Sequence, residues 1–359
     1  MAVRSRALGD RARYDVPGGQ PSTMDDRSTR PAAKPPVKLS AHRREYERRV
    51  NRVMDHVQAH LAEDLTLEKL AAVAAFSPFH FHRVFAAITG ETLSDFIRRI
   101  RLERAASALG LLRDTSVLEI ALRYGFSSAA TFARAFKAHF GMSATEWRGG
   151  GARQWTETRR ATSKPGKAVR NRGQPQRNLR KASLPLVRHA AAARSREVAT
   201  RLSMQVEVKH IPPYRVAYMR HVGPYGKDIG AFWTAFEHWM VARDLRQLGT
   251  ITIGIGHDAP LIADADKLRY DACVVVDDAF KPDRYVNVTE LSGGRYAAAR
   301  YEGTPSGIGY AWEQLFTDWL PSSGYQPEDR LCLELYRDSE RRREPEHLRC
   351  ELCIPVKPL

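Results

Sequence analysis

Apolar residues follow a helical period through the first part of the chain. Val50, Val53 and Val57 recur at intervals of three and four residues, which places their side chains on one face of an α-helix. The pattern then predicts a pair of short helices twice, over 67–90 and again over 117–141. The two copies keep the same apolar and glycine positions at a separation of 50 or 51 residues, so they are expected to share one structure.

Signals for helix starts agree with this repeat. Ser77-Pro78 places a capping residue before a proline at the first helical position, and Ser116 with Glu119 forms a capping-box pattern. One longer amphipathic helix is predicted between the copies, over 91–110. The segment is therefore predicted to hold two helix–turn–helix units on a rigid connecting helix, with a plain helical bundle as the alternative.

Alternation with a period of two replaces the helical period in the last part of the chain. Positions 80 residues apart match there, as Trp239 and Trp319 do, and this duplication divides the segment into halves at 204–280 and 284–357. Each half reads strand, strand, helix, strand, strand. The predicted fold is thus multidomain: an all-α domain followed by a duplicated α+β domain, whose halves pack about a pseudo-twofold axis with a ligand groove between them.

One predicted strand carries a carboxylate on the face opposite its leucines. In 329–338, DRLCLELYRD, the leucines alternate with polar or aromatic residues that include Glu334 and Tyr336. The counterparts of these two residues in the first half are Gly254 and Gly256, so the fold itself does not require a carboxylate there. We expect Glu334 to face a cavity; a glutamate on the solvent side of the sheet is the alternative.

Charge marks the segments between these parts. The sequence has 57 basic and 41 acidic residues and a net charge of +16, which favours a polyanionic partner. Residues 1–41 lack an apolar period and are predicted to be a disordered N-terminal extension. Residues 149–203, with 14 basic and two acidic residues, are predicted to be a basic flexible linker. The folded domains are expected over 42–148 and 204–359.

No metal, cofactor or membrane segment is predicted. All four cysteines lie in the last domain, where Cys350 and Cys353 form a C-x-x-C pattern. Positions three apart in a strand point to opposite faces, which disfavours a shared metal. No apolar run approaches the roughly 20 residues of a transmembrane helix, and the first residues lack the apolar region of a secretory signal. We expect a cytoplasmic protein with reduced thiols.

The second helical copy resembles the AraC/XylS family of transcription regulators. The segment GFSSAATFARAFKAHFGMSATEWR carries the family's Gly-Phe turn, its Phe-x-x-x-Phe-Lys recognition helix and its Gly-x-Ser exit, with one departure at Ala144, where the family usually has proline. This resemblance covers about 46–148 and implies a DNA-binding domain. Residues 204–357, with the duplication and the strands RYDACVVV and LELY, resemble the GyrI-like effector-binding domain in the Rob-like arrangement.

Candidate DNA-reading residues lie on the outer, N-terminal turns of the two recognition helices, which can enter successive major grooves about one DNA turn apart. Arg83 is the best candidate for a bidentate contact to guanine. Two alanines in the second helix can touch thymine methyl groups but cannot donate a hydrogen bond, so we expect that helix to discriminate less. Each candidate could instead contact phosphate or water. The candidates, of which the resemblance places all but His80 and Ser128 at base-contacting positions, are Phe79, His80, His82, Arg83, Ser128, Ala129, Ala130, Thr131 and Arg134.

The resemblance also implies that a glutamate on the LELY strand meets a cationic or amphipathic ligand in an aromatic cleft. A carboxylate in an apolar cleft is costly alone, and a lipophilic cation would relieve that cost while it stacks on the rings. Phe232 and Trp312 are equally consistent with core packing. The candidate effector-binding residues are Glu334, Tyr336, Tyr225, Phe232, Trp233, Tyr301, Tyr310 and Trp312.

The sequence therefore predicts a sequence-specific transcription regulator, not an enzyme. Its expected partners are double-stranded DNA, a small-molecule effector and RNA polymerase. Two alternatives stay open for the last domain. It could bind a protein, as a gyrase inhibitor does, or hydrolyse small electrophiles with Glu334 and Tyr336 as base and acid.

Overall fold

The computed structural model describes residues 41–162, 205–337 and 347–359. Nearly all of the predicted N-terminal extension, and the predicted linker beyond residue 162, lie outside these ranges. In the described part of the chain, no single helix is long and apolar enough to cross a membrane; one helix pair, bent by 74°, meets the length and composition test only when both helices are counted together.

The first domain is helical, as predicted, and contains both helix–turn–helix units. Its buried core includes one stripe from each recognition helix, Phe81 and Phe85 in the first and Phe132 and Phe136 in the second. Both capping-box and proline signals start helices where the sequence places them. The helices are α1 Ala41–Ala59, α2 Leu67–Val73, α3 Pro78–Thr89, α4 Leu93–Leu111, α5 Val117–Arg123, α6 Ala129–Phe140 and α7 Ala144–Glu146.

The chain remains helical beyond the predicted end of this domain. The chain kinks at Gly150, within Trp147–Gly151, and then forms α8, Ala152–Thr162. The ring of Trp155 lies 5.5 Å from that of Phe140 and 5.9 Å from that of Trp147, which attaches α8 to the core. The prediction of a flexible linker starting at 149 is therefore wrong for its first part.

The second domain is the predicted α+β duplication. Each half supplies two strands, a helix and two further strands; the second half adds the short strand β7, which pairs with β9. The strands are β1 Val206–Ile211, β2 Tyr214–Val222, β3 Ile251–Gly256, β4 Arg269–Val275, β5 Asn287–Leu291, β6 Gly294–Gly303, β7 Tyr325–Pro327, β8 Leu333–Arg337 and β9 Leu348–Pro358. The helices are α9 Lys227–Val241 and α10 Ile308–Gln314.

The strand order displays the pseudo-twofold symmetry. The main path of the sheet runs β1-β6-β9-β8-β3-β4-β2-β5. When each strand is exchanged for its counterpart in the other half, the same order is read backwards. The symmetry axis therefore falls between β3 and β8, which pair antiparallel. Helices α9 and α10 pack on one face of this sheet, through Phe236 and Ala311 among others, and leave a cleft between them at the axis.

Cys350 and Cys353 face opposite sides of β9. Cys350 packs in the cluster that contains Leu315, whereas Cys353 packs in the cluster that contains Cys273 on the other face of the sheet. All four cysteines of the chain are free thiols. Among the described residues, no group of three or more His, Cys, Asp or Glu side chains is placed to hold a metal ion.

Candidate functional site

Glu334 lies at the bottom of the cleft between α9 and α10. Its side chain is buried, with 8% of its surface exposed, so the solvent-facing alternative does not describe it. Trp312 of α10 donates its indole N–H to Oε1 at 3.0 Å. The hydroxyls of Tyr270 and Tyr336 donate to Oε2 at 2.6 and 2.9 Å. Among the residues that the structure describes, the carboxyl group thus has three hydrogen-bond donors, and all three are uncharged.

The cationic side chains in this region pair with carboxylates other than Glu334. Within the described ranges, the ion pairs on the neighbouring strands β4 and β9 go to Asp258, Asp271, Glu302 and Glu351 rather than to Glu334. A buried carboxylate held by neutral donors alone keeps its charge only partly compensated. The site can therefore accept a cation.

The phenols around Glu334 remain donors at neutral pH. Burial raises the pKa of Tyr270 well above its usual range, and the neighbouring Glu334 carboxylate raises it further. Burial and Glu334 raise the pKa of Tyr336 in the same way. Both hydroxyls therefore stay protonated and orient the carboxylate.

Tyr270 is a site residue that the sequence analysis missed. It lies on β4, and its hydroxyl also accepts a hydrogen bond from the indole N–H of Trp233 in α9 at 3.2 Å. Tyr270 and Glu334 together therefore connect Trp233 of α9 to Trp312 of α10 through hydrogen bonds. The sequence signal was only an aromatic residue on a strand between two charged ones, Arg269 and Asp271. The strand pairing that brings β4 close to β8 was needed to find it.

Gly254 is the partner of Glu334 in the β3–β8 register. The two positions that match at an offset of 80 residues thus face each other across the symmetry axis. A Cβ atom on Gly254 would lie 2.1 Å from the Tyr270 hydroxyl and 2.5 Å from Glu334 Oε2. The absence of a side chain at this position is therefore what leaves room for the hydrogen-bonded pair.

The cleft opens into a cavity of about 2120 Å³. Its wall includes the aromatic residues Tyr225, Trp233, Tyr270, Trp312 and Tyr336 together with Glu334. Residues of the helical domain form the opposite wall, among them Arg104 of α4 and Thr156 of α8. The cavity is large enough for a drug-sized ligand, which typically occupies roughly 300–1,000 Å³.

Five of the eight predicted effector residues lie in this cavity, and three do not. Phe232 packs between His221 and Tyr270 on the core side of α9. Tyr301 is buried, and its hydroxyl donates to the carbonyl of Thr304. Tyr310 is 52% exposed on α10 and accepts a hydrogen bond from Gln314. These three side chains therefore do not line the cavity, and their part in effector binding stays a prediction.

The predicted DNA-reading residues of α3 lie on its outer face. Phe79 is 68% exposed, and His80, His82 and Arg83 are exposed beside it. The Arg83 guanidinium lies 5.9 Å from the centre of the Phe79 ring, and His82 Nδ1 lies 3.3 Å from the Phe79 carbonyl oxygen. These side chains form one continuous surface at the start of the helix.

The corresponding residues of α6 are placed in the same way, with one difference. Ala129, Ala130, Thr131 and Arg134 are exposed. Ser128 is half-buried and caps the helix, since its hydroxyl accepts from the backbone N–H of Thr131 at 3.2 Å and lies 3.0 Å from the Thr131 hydroxyl. The Ser128 hydroxyl is thus already used within the protein.

Comparisons with known proteins agree with this architecture. A model of the GyrI-like small molecule binding domain matches residues 204–357, and a helix-turn-helix domain model matches residues 70–150. The right origin-binding protein of Escherichia coli (strain K12) is 25% identical over 309 residues, which cover 84% of this chain and 95% of that protein.

Two further relatives match over about 100 residues each. The probable transcription factor PqrA of Proteus vulgaris is 38% identical over 104 residues, which cover 28% of this chain and 84% of that protein. The uncharacterized HTH-type transcriptional regulator YbfP of Bacillus subtilis (strain 168) is 39% identical over 97 residues, which cover 27% of this chain and 32% of that protein. The chain therefore belongs to the AraC/XylS family of DNA-binding transcription regulators, in the Rob-like form that carries a C-terminal GyrI-like domain.

Proposed function

We propose that this regulator responds to a lipophilic or amphipathic cation that binds at Glu334. The single observation that carries the proposal is a buried carboxylate whose donors, Tyr270, Tyr336 and Trp312, are all neutral. A cation would supply the missing charge, and the aromatic wall would stack on its apolar groups. The match to a small-molecule-binding domain supports a ligand, and the chemistry of the cleft supports its class.

The proposal assigns no reaction to the cleft. Acid–base catalysis near neutral pH works best with groups whose pKa lies near the working pH. Burial and Glu334 raise the pKa of Tyr336 well above its usual range, which makes that phenol a poor proton donor to a substrate. The hydrogen bond between the two residues is better suited to holding the carboxylate in place.

On DNA, we propose that the outer faces of α3 and α6 read adjacent major grooves. The exposed group around Arg83 supports direct base contact for α3. RNA polymerase is proposed as a further partner of the bound regulator. Leu118 and Leu122 of α5, each about half exposed, provide an apolar surface one turn apart for such a contact.

The ligand proposal is tested by tryptophan fluorescence of the full chain titrated with tetraphenylphosphonium. Trp233 and Trp312 line the cavity, so we expect saturable quenching. Glu334→Gln keeps the shape of the side chain but removes its charge, and it should raise the Kd at least about tenfold, equivalent to roughly 1.4 kcal/mol. The measurement is the Kd of each variant.

Two controls separate charge from shape. Glu290→Gln changes an exposed carboxylate on β5, away from the cavity, and should leave the Kd unchanged. Tetraphenylborate has the shape of the probe with the opposite charge and should bind the wild type far more weakly. Equal quenching by both ions, or an unaltered Kd in Glu334→Gln, would contradict the proposal that the ligand is a cation. If neither ion binds, a protein partner becomes the better candidate.

A further inference from the structure

A second cluster of buried charges lies on the other face of β4. Arg220 of β2 pairs with Asp271 of β4 at 2.6 Å, and His257 Nε2 lies 2.6 Å from the same carboxylate. Arg269, also on β4, pairs with Asp258 at 2.7 Å. The guanidinium groups of both arginines are 1% exposed. Buried pairs of this kind are costly to break singly, because one charge is then left without its partner.

This cluster is one of the places where the GyrI-like domain contacts the DNA-binding domain. Asp55 of α1 forms an ion pair with Arg220 at 2.7 Å and accepts a hydrogen bond from the hydroxyl of Tyr218. The guanidinium of Arg269 lies 5.6 Å from the centre of the Phe96 ring in α4. These contacts reach α1 and α4, and α4 is the helix that joins the two helix–turn–helix units.

Strand β4 connects the cluster to the effector cleft directly. Successive residues of a strand point to opposite faces. Arg269 and Asp271 therefore reach the docking contacts, while Tyr270 between them reaches Glu334 at 2.6 Å. Tyr225 of the cavity wall adds a second link, since its hydroxyl donates to the backbone carbonyl of Arg269.

We propose that β4 transmits effector binding to the DNA-binding domain. A cation at Glu334 competes with the hydroxyl of Tyr270 for the carboxylate and shifts the β4 backbone. This shift changes the contact that Asp271 makes with α1 through Arg220 and the contact that Arg269 makes with α4. The idea rests on the proposed effector site. The ligand alters DNA affinity only by its different affinity for the docked and released arrangements, and the coupling acts equally in both directions.

Asp55 is the residue that tests this route, because it lies in the DNA-binding domain and does not line the cavity. Full-length protein is titrated onto a duplex selected from a random pool, with and without saturating tetraphenylphosphonium. We expect the ligand to change the wild-type DNA Kd by at least about fivefold, within the usual range of allosteric coupling. In Asp55→Ala the ligand's Kd should stay within about twofold, while its effect on DNA binding falls to less than twofold.

A matched control removes a different interdomain ion pair. Asp264 pairs with Arg159 of α8 at 2.7 Å, and neither residue belongs to β4. Asp264→Ala should keep the ligand's effect on DNA affinity. If Asp264→Ala and Asp55→Ala lose it equally, domain docking in general is responsible and the β4 route is wrong. If Asp55→Ala responds as the wild type does, the route is also wrong. Asp55→Asn, which keeps the side chain's shape, replaces the alanine variant should that fail to fold.

A ligand-free measurement decides the case in which no probe binds. The DNA Kd is measured for Tyr270→Phe, Asp55→Asn and the double variant. Because both residues act through β4, the combined effect should differ from the product of the single effects by at least about twofold, as expected of residues in one network. Multiplicative effects would overturn the β4 route. If no probe binds but the effects of the two substitutions are not multiplicative, only the cationic ligand is rejected and the β4 route stands.

Discussion

At the scale of single residues, the site depends on a glycine as much as on a carboxylate. Glu334 has room to accept from Tyr270 because Gly254 has no side chain. The sequence predicted that these two positions correspond, and it predicted a cavity-facing Glu334. It could not predict that they face each other, because register across the axis is set by pairing between distant strands.

Gly254→Ala should therefore damage both binding and stability. The new methyl group would displace either the Tyr270 hydroxyl or the Glu334 carboxylate, and overpacking of this kind costs about 1–3 kcal/mol. We expect a loss of at least about tenfold in tetraphenylphosphonium affinity, measured by fluorescence titration, together with a lower midpoint in urea.

Gly256→Ala provides the matched control. Its Cβ would meet the Tyr225 ring only at 3.5 Å, an ordinary van der Waals distance. A smaller effect of Gly256→Ala is thus expected on both measurements. Gly254→Ala with wild-type affinity would show that the pair can rearrange without loss.

At the scale of elements, helix α8 shows what local pattern alone does not predict. Three glycines, Gly149–Gly151, precede it, and its sequence has no regular apolar period. The chain kinks at the glycines, with Gly150 at a φ of 120°, a conformation that favours glycine. Tertiary contacts then hold the helix: Trp155 packs on the helical core, and Arg159 pairs with Asp264. By contrast, α3 and α5 carried cap signals in the sequence and were predicted correctly.

Trp155→Ala should loosen α8 from the helical domain. The ring is half-buried, so the loss is expected to be about 1–3 kcal/mol, below the range for a fully buried tryptophan. The measurement is urea unfolding of the full chain followed by circular dichroism at the helical band. Arg153→Ala on the exposed face, where the pair with Glu157 is open to solvent, should change stability by no more than about 0.5 kcal/mol. Equal effects of the two substitutions would mean that α8 contributes nothing to the core.

At the scale of the whole molecule, two reading helices are carried on one chain. Because α4 joins the two helix–turn–helix units rigidly, a monomer can read an asymmetric site, whereas a dimer of single units requires a palindrome. The GyrI-like domain contacts this assembly at several points. Lys267 donates to the carbonyl of Thr89 at the end of α3, and Arg104 of α4 donates to the carbonyl of His257. Long-range contacts of this kind have no periodic signature, so the sequence predicted the domains but not their interface.

Arg83→Ala should weaken specific DNA binding by about 1–3 kcal/mol and leave affinity for random DNA nearly unchanged, if Arg83 makes a bidentate base contact. Fluorescence anisotropy with a selected and a random duplex, at several salt concentrations, gives both affinities and the salt slope. Lys137→Ala, at the C-terminal end of α6, is the matched cation control and should not alter the ratio of the two affinities. Similar losses on both duplexes would identify Arg83 as a phosphate contact.

The in-register pairing of Gly254 with Glu334 also makes the two halves of the domain unequal at the symmetry axis. Two identical halves would place two glutamates opposite each other at the axis, and like charges that close cannot both ionise without cost. Joining the halves in one polypeptide allows one position to keep the carboxylate and the other to lose its side chain. A scaffold with two equivalent halves therefore carries one carboxylate at its axis, and we expect one cation per chain there.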